Sequence, residues 1–392
     1  MIKKFFSPIF FILSLLFLTV IFYKSEINFG GINRDHYLKY YIFSFILISF
    51  SICTFYISDK IKEYLGITIL SAIFTIYLIE YYLGTPAGTP QKIREKEKIM
   101  KIEIKKKIYK KETGFTWDER SQYQVYRDLL KKDPNTVPYF YPQELSLNSE
   151  KIHSLAGVSN SQTVFCNENG YYSVINSDRY GFNNPAKEWD SDEFEFVFVG
   201  DSMTHGYCVN RPNDIPSVVR ELSGKSTLNL GYGRNGPLIE YATLREYLPK
   251  KTKNIIFMFY GGNDLENLES ELKNKILINY KNDLEFNQNL KDKQSEIDKQ
   301  IRKFVLTRLK GIEFKYQFIK LRRFRENFKN IITRKGEGKV NHKEALKELE
   351  KILFLTKKLS IENKSKLHFV YLSAERYWGN ENTQKDDLIY FD

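Results

Sequence analysis

Apolar positions along the chain follow two patterns. Over the first 83 residues they run almost unbroken, and from residue 193 onward they come in short runs separated by amphipathic stretches. The early part holds three apolar stretches of about 19 residues each, Phe5 to Tyr23, Tyr40 to Ser58 and Leu65 to Leu83, the length at which a helix spans a bilayer's hydrocarbon core. Lys3 and Lys4 precede the first stretch, as in a signal peptide. That stretch is long for an h-region, however, and nothing after Tyr23 resembles a small-residue cleavage site, so a retained anchor is expected. Tyr40, Tyr41, Tyr56, Tyr81 and Tyr82 gather at the ends of the second and third stretches, as at headgroup depth. The pattern predicts three transmembrane helices within residues 1–84.

Residues 85–150 read as linker and connector. TPAGTP after Gly84 breaks the last apolar helix, and KIREKEKIMKIEIKKKIYKK has the helical composition and dense charge of a stalk or surface-lying helix. A helical pattern from Asp118 to Leu130 stops before Asp133 and Pro134, and Pro138 and Pro142 mark the connector that follows. The soluble domain is expected from about Glu150 to the end of the chain. Its first part offers strand candidates Thr163 to Cys166 and Tyr171 to Ile175 around the turn signal Asn169–Gly170. SDRYGFNNP then supplies Gly181 and two asparagines for tight backbone turns.

The run Glu193 to Cys208, EFEFVFVGDSMTHGYC, is where the second pattern begins. Phe194, Phe196, Val197, Phe198 and Val199 are aromatic or β-branched, which predicts a buried strand of a parallel sheet that stops at Gly200, Asp201 and Ser202. Helix Ile215 to Leu222, strand Ser226 to Leu230, helix Pro237 to Leu248 and strand Asn254 to Tyr260 alternate after it; helix His342 to Leu359 and strand Leu367 to Leu372 close the pattern. Such alternation implies a doubly wound α/β sheet. A helical, basic insertion at about residues 265–340 interrupts it. Within that insertion FVLTRLKGIEFKYQFIKLRRFRENFKNII interleaves aromatic with basic residues, and is expected to be an amphipathic helix packed on the sheet, with a membrane-surface or lid role as the alternative.

Charge bears on partners. The net charge of +12 is concentrated in two runs, with ten Lys or Arg against three Glu between Lys92 and Lys111, and twelve against two between Arg302 and Lys335. Beside a membrane anchor these runs suit membrane lipid or an acidic glycan, solvated helix faces without a partner being the plainer reading, and nucleic acid is set aside. Orientation is in conflict: four Lys or Arg flank the spans on one side and eight on the other, which puts the large domain in the cytoplasm. An odd number of spans from a cytoplasmic amino end puts it outside the cytoplasmic membrane, and that side is expected. Cys166 and Cys208 either pair outside the cytoplasm or remain two buried thiols.

Three strand ends carry small polar clusters: Gly200, Asp201, Ser202; Asn229, Leu230, Gly231; and Gly261, Gly262, Asn263, Asp264. In a parallel sheet such ends lie along one edge. A serine nucleophile there, with the N–H of Ser202, the N–H of Gly231 and the Asn263 amide as oxyanion donors, fits acyl transfer. Gly231 suits close approach of backbone to a ligand. GDS at 200–202, Gly231 in NLG and GGND at 261–264 resemble the first three blocks of the SGNH (GDSL-type) hydrolases, each behind a strand. SDRYGFNNP, VGDSMTHGYCV and NGPLIEYATLREYL resemble the membrane-anchored subgroup linked to acylation of surface polysaccharides. The resemblance covers roughly residues 115–392. It implies a three-layer flavodoxin-like fold, esterase or acyltransferase activity without metal or cofactor, and a Ser, His, Asp triad.

The fourth block of that family, Asp-x-x-His, has no counterpart after Asn263. His368 sits in the strand pattern LHFVYL and reads as a packed histidine, and Asp386, Asp387 and Asp392 have no histidine behind them. The chain either ends short of its base or has replaced it. His205, three residues after Ser202, is the local substitute, and it reads rather as a substrate contact together with Asp201 and Asp264. The expectation is a membrane-anchored serine esterase or O-acyltransferase acting on an acylated glycan or small ester, impaired if the base is missing. The alternative is a non-catalytic membrane protein that uses the same pocket to bind a glycan or partner.

Overall fold

The chain divides into two compact units, Met1–Gln91 with Ile312–Gly336 and Lys92–Gly311 with Glu337–Asp392. The structure, a computed structural model, describes residues 2–28, 34–85, 93–146, 152–312, 319–332 and 343–373. The first unit holds α1 (Ile2–Phe22), α2 (Arg34–Cys53) and α3 (Asp59–Leu83). Among the described residues, two helical segments, Lys4–Ile27 and Asp59–Leu83, are long and apolar enough to cross a membrane.

The second apolar stretch does not reach that length, which corrects the expectation of three. Its apolar helix is only Tyr37–Cys53. The chain turns at Thr54, whose N–H reaches Phe50 O at 3.1 Å and Ser51 O at 3.2 Å and whose Oγ1 donates to Ser51 O at 2.6 Å, so Phe55 to Ser58 are lost to the helix. Within this unit Ser7, Ser14, Ser44, Ser51 and Thr54 are buried, and Phe5, Ile9, Leu13, Leu16, Ile42 and Phe45 are exposed. Small polar residues inside and large apolar ones outside is the reverse of a water-soluble bundle. Phe10 meets Phe50 edge-on at 5.9 Å and Phe17 meets Phe43 at 6.0 Å between α1 and α2.

The second unit begins with α4 (Ile93–Thr113), the basic run predicted as helical, and α5 (Gln122–Leu130), whose start is fixed by a capping box between Ser121 and Gln124. Tyr109 of α4 packs where a side chain on Gly170 would have to go, and Gly170 has φ +93°. The basic helix and connector are thus part of this unit, which starts at Lys92; the predicted boundary at Glu150 lies outside the described residues. A three-stranded sheet joins β1 (Val137–Pro138), β2 (Gln162–Val164) and β3 (Val174–Asn176), with α6 (Pro142–Ser146) between the first two in sequence. β2 and β3 form the expected antiparallel ribbon.

The main sheet contains β4 (Phe194–Gly200), β5 (Thr227–Asn229), β6 (Thr252–Tyr260) and β7 (Lys366–Leu372), in the order β5-β4-β6-β7 and parallel throughout. Short α7 (Ser202–His205) follows β4, and α8 (Ile215–Ser223) and α9 (Pro237–Tyr247) supply the crossovers on either side of β5. Val197, Val199, Leu228, Ile255 and Phe257 are buried, and on α9 every residue but Arg245 is buried, so sheet and helix share one apolar core. That explains why the β4 and β6 patterns read as near-continuous apolar runs.

After β6 come α10 (Asp264–Glu271), α11 (Lys275–Asn282), α12 (Gln294–Ile312), α13 (Arg322–Ile332) and α14 (Lys343–Glu362). The insertion is helical as expected, but α13 packs on α3 within the first unit and not on the sheet. Its first-turn N–H groups meet the carboxylate of Glu80 on α3, a partner the sheet does not offer. The final stretch, including Asp386, Asp387 and Asp392, lies outside the described residues.

Cys166 and Cys208 are joined in a disulfide across a sequence separation of 42. Closing a loop of that length stabilises by about 4 kcal/mol in the chain-entropy estimate. The double variant Cys166→Ala/Cys208→Ala should lower the denaturant midpoint of the Lys92 unit accordingly, measured by circular dichroism against wild type under oxidising conditions. An unchanged midpoint would show that the bridge constrains nothing that unfolds.

Candidate active site at the strand ends

The candidate site stands at the carboxyl edge of the main sheet. Phe198 of β4 pairs with Asn229 of β5, and Gly200 of β4 pairs with Met258 of β6, so Ser202, Gly231 and Asn263 follow three adjacent strands. β5 and β6 lie on opposite sides of β4. This is a switch point of the winding, where open α/β sheets leave a crevice for ligand. The three predicted clusters are therefore brought together by topology.

Ser202 opens α7, half-buried, and its hydroxyl donates to Asp201 Oδ2 at 3.2 Å. Asp201 also caps the helix, its Oδ1 accepting from Met203 N at 2.8 Å. Asp201 was expected to face substrate; it is buried instead, because a capping carboxylate must turn back under the helix it caps. Burial pushes its carboxyl above the usual aspartate range, against the pull of the Met203 N–H and the Ser202 hydroxyl.

Asn263 has a different geometry. It sits at the N-cap of α10, yet its side chain makes no capping bond. Asparagine at that position ordinarily caps. Its Oδ1 is buried without a hydrogen-bond partner, and the residue as a whole is only half-buried. The amide is thus kept out of local backbone bonding, beside the end of β4.

Gly231 corrects an expectation. Its N–H donates to Asn229 Oδ1 at 2.9 Å, and a Cβ added to it would lie 2.6 Å from Thr204 Cβ and 2.8 Å from His205 N. Close packing of the β5 loop on α7 by itself requires the glycine. His205 likewise does not face a substrate. It is fully buried, neither ring nitrogen has a hydrogen-bond partner, and Tyr232, Phe165 and Tyr139 surround the ring at centroid distances of 4.9, 5.1 and 5.5 Å. Burial, with a smaller contribution from the charge of Arg211, holds its imidazole neutral down to about 3. His368 Nε2 donates to Asn254 Oδ1 at 3.0 Å within the β7 ladder, four residues before the strand's end.

SDRYGFNNP does more than turn the chain. Asp178 accepts from Tyr180 N, Phe182 N, Asn184 Nδ2 and Trp189 Nε1 at 2.7–3.0 Å. Asn184 then clamps β5 from the side, Nδ2 donating to Asn229 O and Oδ1 accepting from Asn229 N, both at 2.8 Å. Asn183 Nδ2 donates to His205 O at 2.8 Å, and Asn229 Nδ2 donates to Thr204 O at 2.9 Å. These bonds lock α7 to β5, and they were missed because the two asparagines read equally well as turn residues.

Beneath the site lies a group of buried acids that pattern reading also missed. Asp264, expected to face substrate, turns inward: its Oδ2 accepts from Tyr260 N at 2.6 Å and its Oδ1 has no partner. Glu271 accepts from Gly236, Leu238 and Ile239 N–H at 2.5, 3.0 and 3.3 Å, capping α9 in place of the absent side chain of Gly236. Glu240, on α9, is fully buried with both oxygens unpaired. Burial pushes Glu240 and Asp264 well above the carboxylate range, with neighbouring negative charge adding to it, and raises Glu271 to about 7. Glu240, the one charged residue in the otherwise apolar opening PLIEYATL of α9, is the signal in the sequence.

Next to α7, an open cleft of about 270 Å³ is lined by Tyr139, Tyr141, Phe165, Tyr172 and Tyr207, with Asn167 at its edge. Arg234 stacks its guanidinium over the Tyr141 ring at 3.9 Å. The cleft is bordered by Cys166 of the disulfide, and Tyr207 on its wall donates its N–H to Ser202 O at 3.0 Å.

No family model, curated protein or solved structure matches this chain.

Asn184→Ala would leave the N–H and C=O of Asn229 unpaired in the core, at a cost of roughly 2–4 kcal/mol, read as a lowered urea midpoint; a loss under about 0.5 kcal/mol would mean that another group takes over the clamp. The buried acids have raised pKa values, so the folded protein holds more protons than the unfolded chain between about pH 4.3 and the raised values, and stability falls as pH rises through that window. Glu240→Gln should flatten the fall in unfolding free energy as pH rises above about 4.3, the unfolded glutamate value. A variant as steep as wild type would exclude Glu240 as its source.

Proposed function

We propose that the protein is a membrane-anchored serine esterase or O-acyltransferase acting on an acylated glycan, with Ser202 as nucleophile. The observation that carries this reading is Asn263: an asparagine that makes no cap bond to its own helix, on the strand end adjacent to that of Ser202 at a switch point of a parallel sheet, leaves its amide available as a donor for an oxyanion. The strand order supports it, because β5-β4-β6-β7 corresponds to the first four strands of the flavodoxin-like winding implied by the SGNH resemblance. The aromatic cleft beside α7 supports the glycan. Tyrosine rings offer flat apolar faces with hydroxyl rims, the chemistry that a sugar ring presents in return.

In this reading Ser202 attacks the acyl carbonyl and its proton passes to Asp201 Oδ2, the acceptor already bonded to it. Collapse of the oxyanion breaks the ester bond and the departing glycan oxygen takes that proton, after which water or a second hydroxyl releases the acyl group by the reverse steps. The Asn263 amide stabilises the oxyanion. Gly231 N–H joins only if its bond to Asn229 Oδ1 is exchanged for the substrate. The anchor is read as multi-pass through α1 and α3, with α2 packed against α1 through Phe10–Phe50 and Phe17–Phe43. The disulfide favours an oxidising side of that membrane for the large unit.

A second reading has its own support. Ser202 bonds a carboxyl and no imidazole, and Gly231 N–H is already engaged, as expected of a pocket that binds a glycan without cleaving it.

The full chain in detergent should hydrolyse a chromogenic acetate ester, and Asn263→Ala should lower kcat by about 10²–10³. Ser202→Ala should abolish the rate and also covalent labelling by a serine-directed phosphonate. Equal rates for wild type and Ser202→Ala, with no labelling, would reject the esterase and leave the binding protein.

A further inference from the structure

We propose that α13 is a docking surface for anionic phospholipid headgroups, clasped to the end of α3 by Glu80. The inference uses the membrane reading of α3 and is independent of any esterase activity.

Glu80 lies in the last turn of α3, three residues before Leu83, and is fully buried. A carboxylate inside an apolar helix is costly unless it finds a partner. Its partners are the first-turn amides of α13: Arg323 N donates at 3.2 Å and Phe324 N at 2.7 Å. The positive end of one helix thus satisfies the buried charge of the other. The guanidinium of Arg323 adds a contact to Glu80 at 3.8 Å and lies against Gly84, where a Cβ would come within 3.2 Å of it. Tyr77 hydroxyl donates to Ile319 O at 3.1 Å. Together these contacts fix residues 319–324 on the last two turns of α3.

What this clasp presents outward is basic and apolar at once. Lys320, Arg322 and Arg325 are exposed, with Glu326 as the one acid of α13, already bonded to Arg322. Ile319 and Phe328 are exposed at 62% and 55% although both are large and apolar. A helix end of a bilayer span lies at headgroup depth, and a short helix held there with exposed Phe, Ile and unmatched positive charge fits an anionic interface. Water alone gives no reason to expose those apolar side chains. A neutral surface gives none for the charge.

The test uses the full chain reconstituted into vesicles of phosphatidylcholine alone or mixed equally with phosphatidylglycerol. A solvatochromic label is carried on Asn327→Cys in a Cys53→Ala background. Phosphatidylglycerol should shift the label's emission to the blue and protect it roughly twofold from acrylamide, and molar salt should reverse both effects. Lys320→Gln with Arg325→Gln, two exposed positions outside the clasp, should abolish the lipid dependence. An identical signal in the two lipids, or an undiminished response in the double variant, would overturn the proposal. Failure of the anchor would instead show as wild-type protein that does not float with phosphatidylcholine vesicles, whereas failure of the lipid site shows as flotation without a lipid-dependent signal.

Discussion

The arrangement of the candidate site depends on one hydrogen-bonded clamp, Asn184 against the backbone of Asn229. Asn184 is held in turn by Asp178, and Asn229 passes the constraint on to Thr204 and Gly231. The turn segment around Asp178 and Asn184, just ahead of β4 in sequence, therefore sets the distance between α7 and β5. Every member is buried, so each bond lost would leave an unpaired polar group in a medium where such groups are expensive. Networks of this kind specify a geometry more than they add net stability.

The same edge of the sheet carries a cost. Asp201, Glu240, Asp264 and Glu271 crowd below the serine, all shifted upward by burial. Glu271 offsets part of that by capping α9, but Glu240 has no such bond. An unpaired acid kept in a core has its carboxyl pushed up by burial, and the neighbouring negative charges add to the shift. The hydroxyl of Ser202 points into this group through Asp201, and not to an imidazole.

In the first unit the governing physics is reversed. Apolar side chains face out, small polar ones face in, and Glu80 is satisfied by the start of α13. The insertion that interrupts the doubly wound sheet thus contributes a helix to the apolar unit.

The sequence by itself determined the elements and their order. The strands ending at Gly200, Asn229 and Tyr260, the Pro237 helix start and the helical nature of the basic runs are local properties of spacing and composition, and they needed no partner to be read. Parallel alternation was enough to gather Ser202, Gly231 and Asn263 at one edge. Tertiary structure alone decided what each polar group bonds to. His205 became a packed ring because Tyr139, Phe165 and Tyr232 converge on it from three other segments, Gly231 owes its identity to Thr204, and α13 left the sheet for Glu80. The second apolar stretch lost its span to a turn at Thr54. Hydrogen-bond pairing and burial are relations between distant segments, and no local period encodes them.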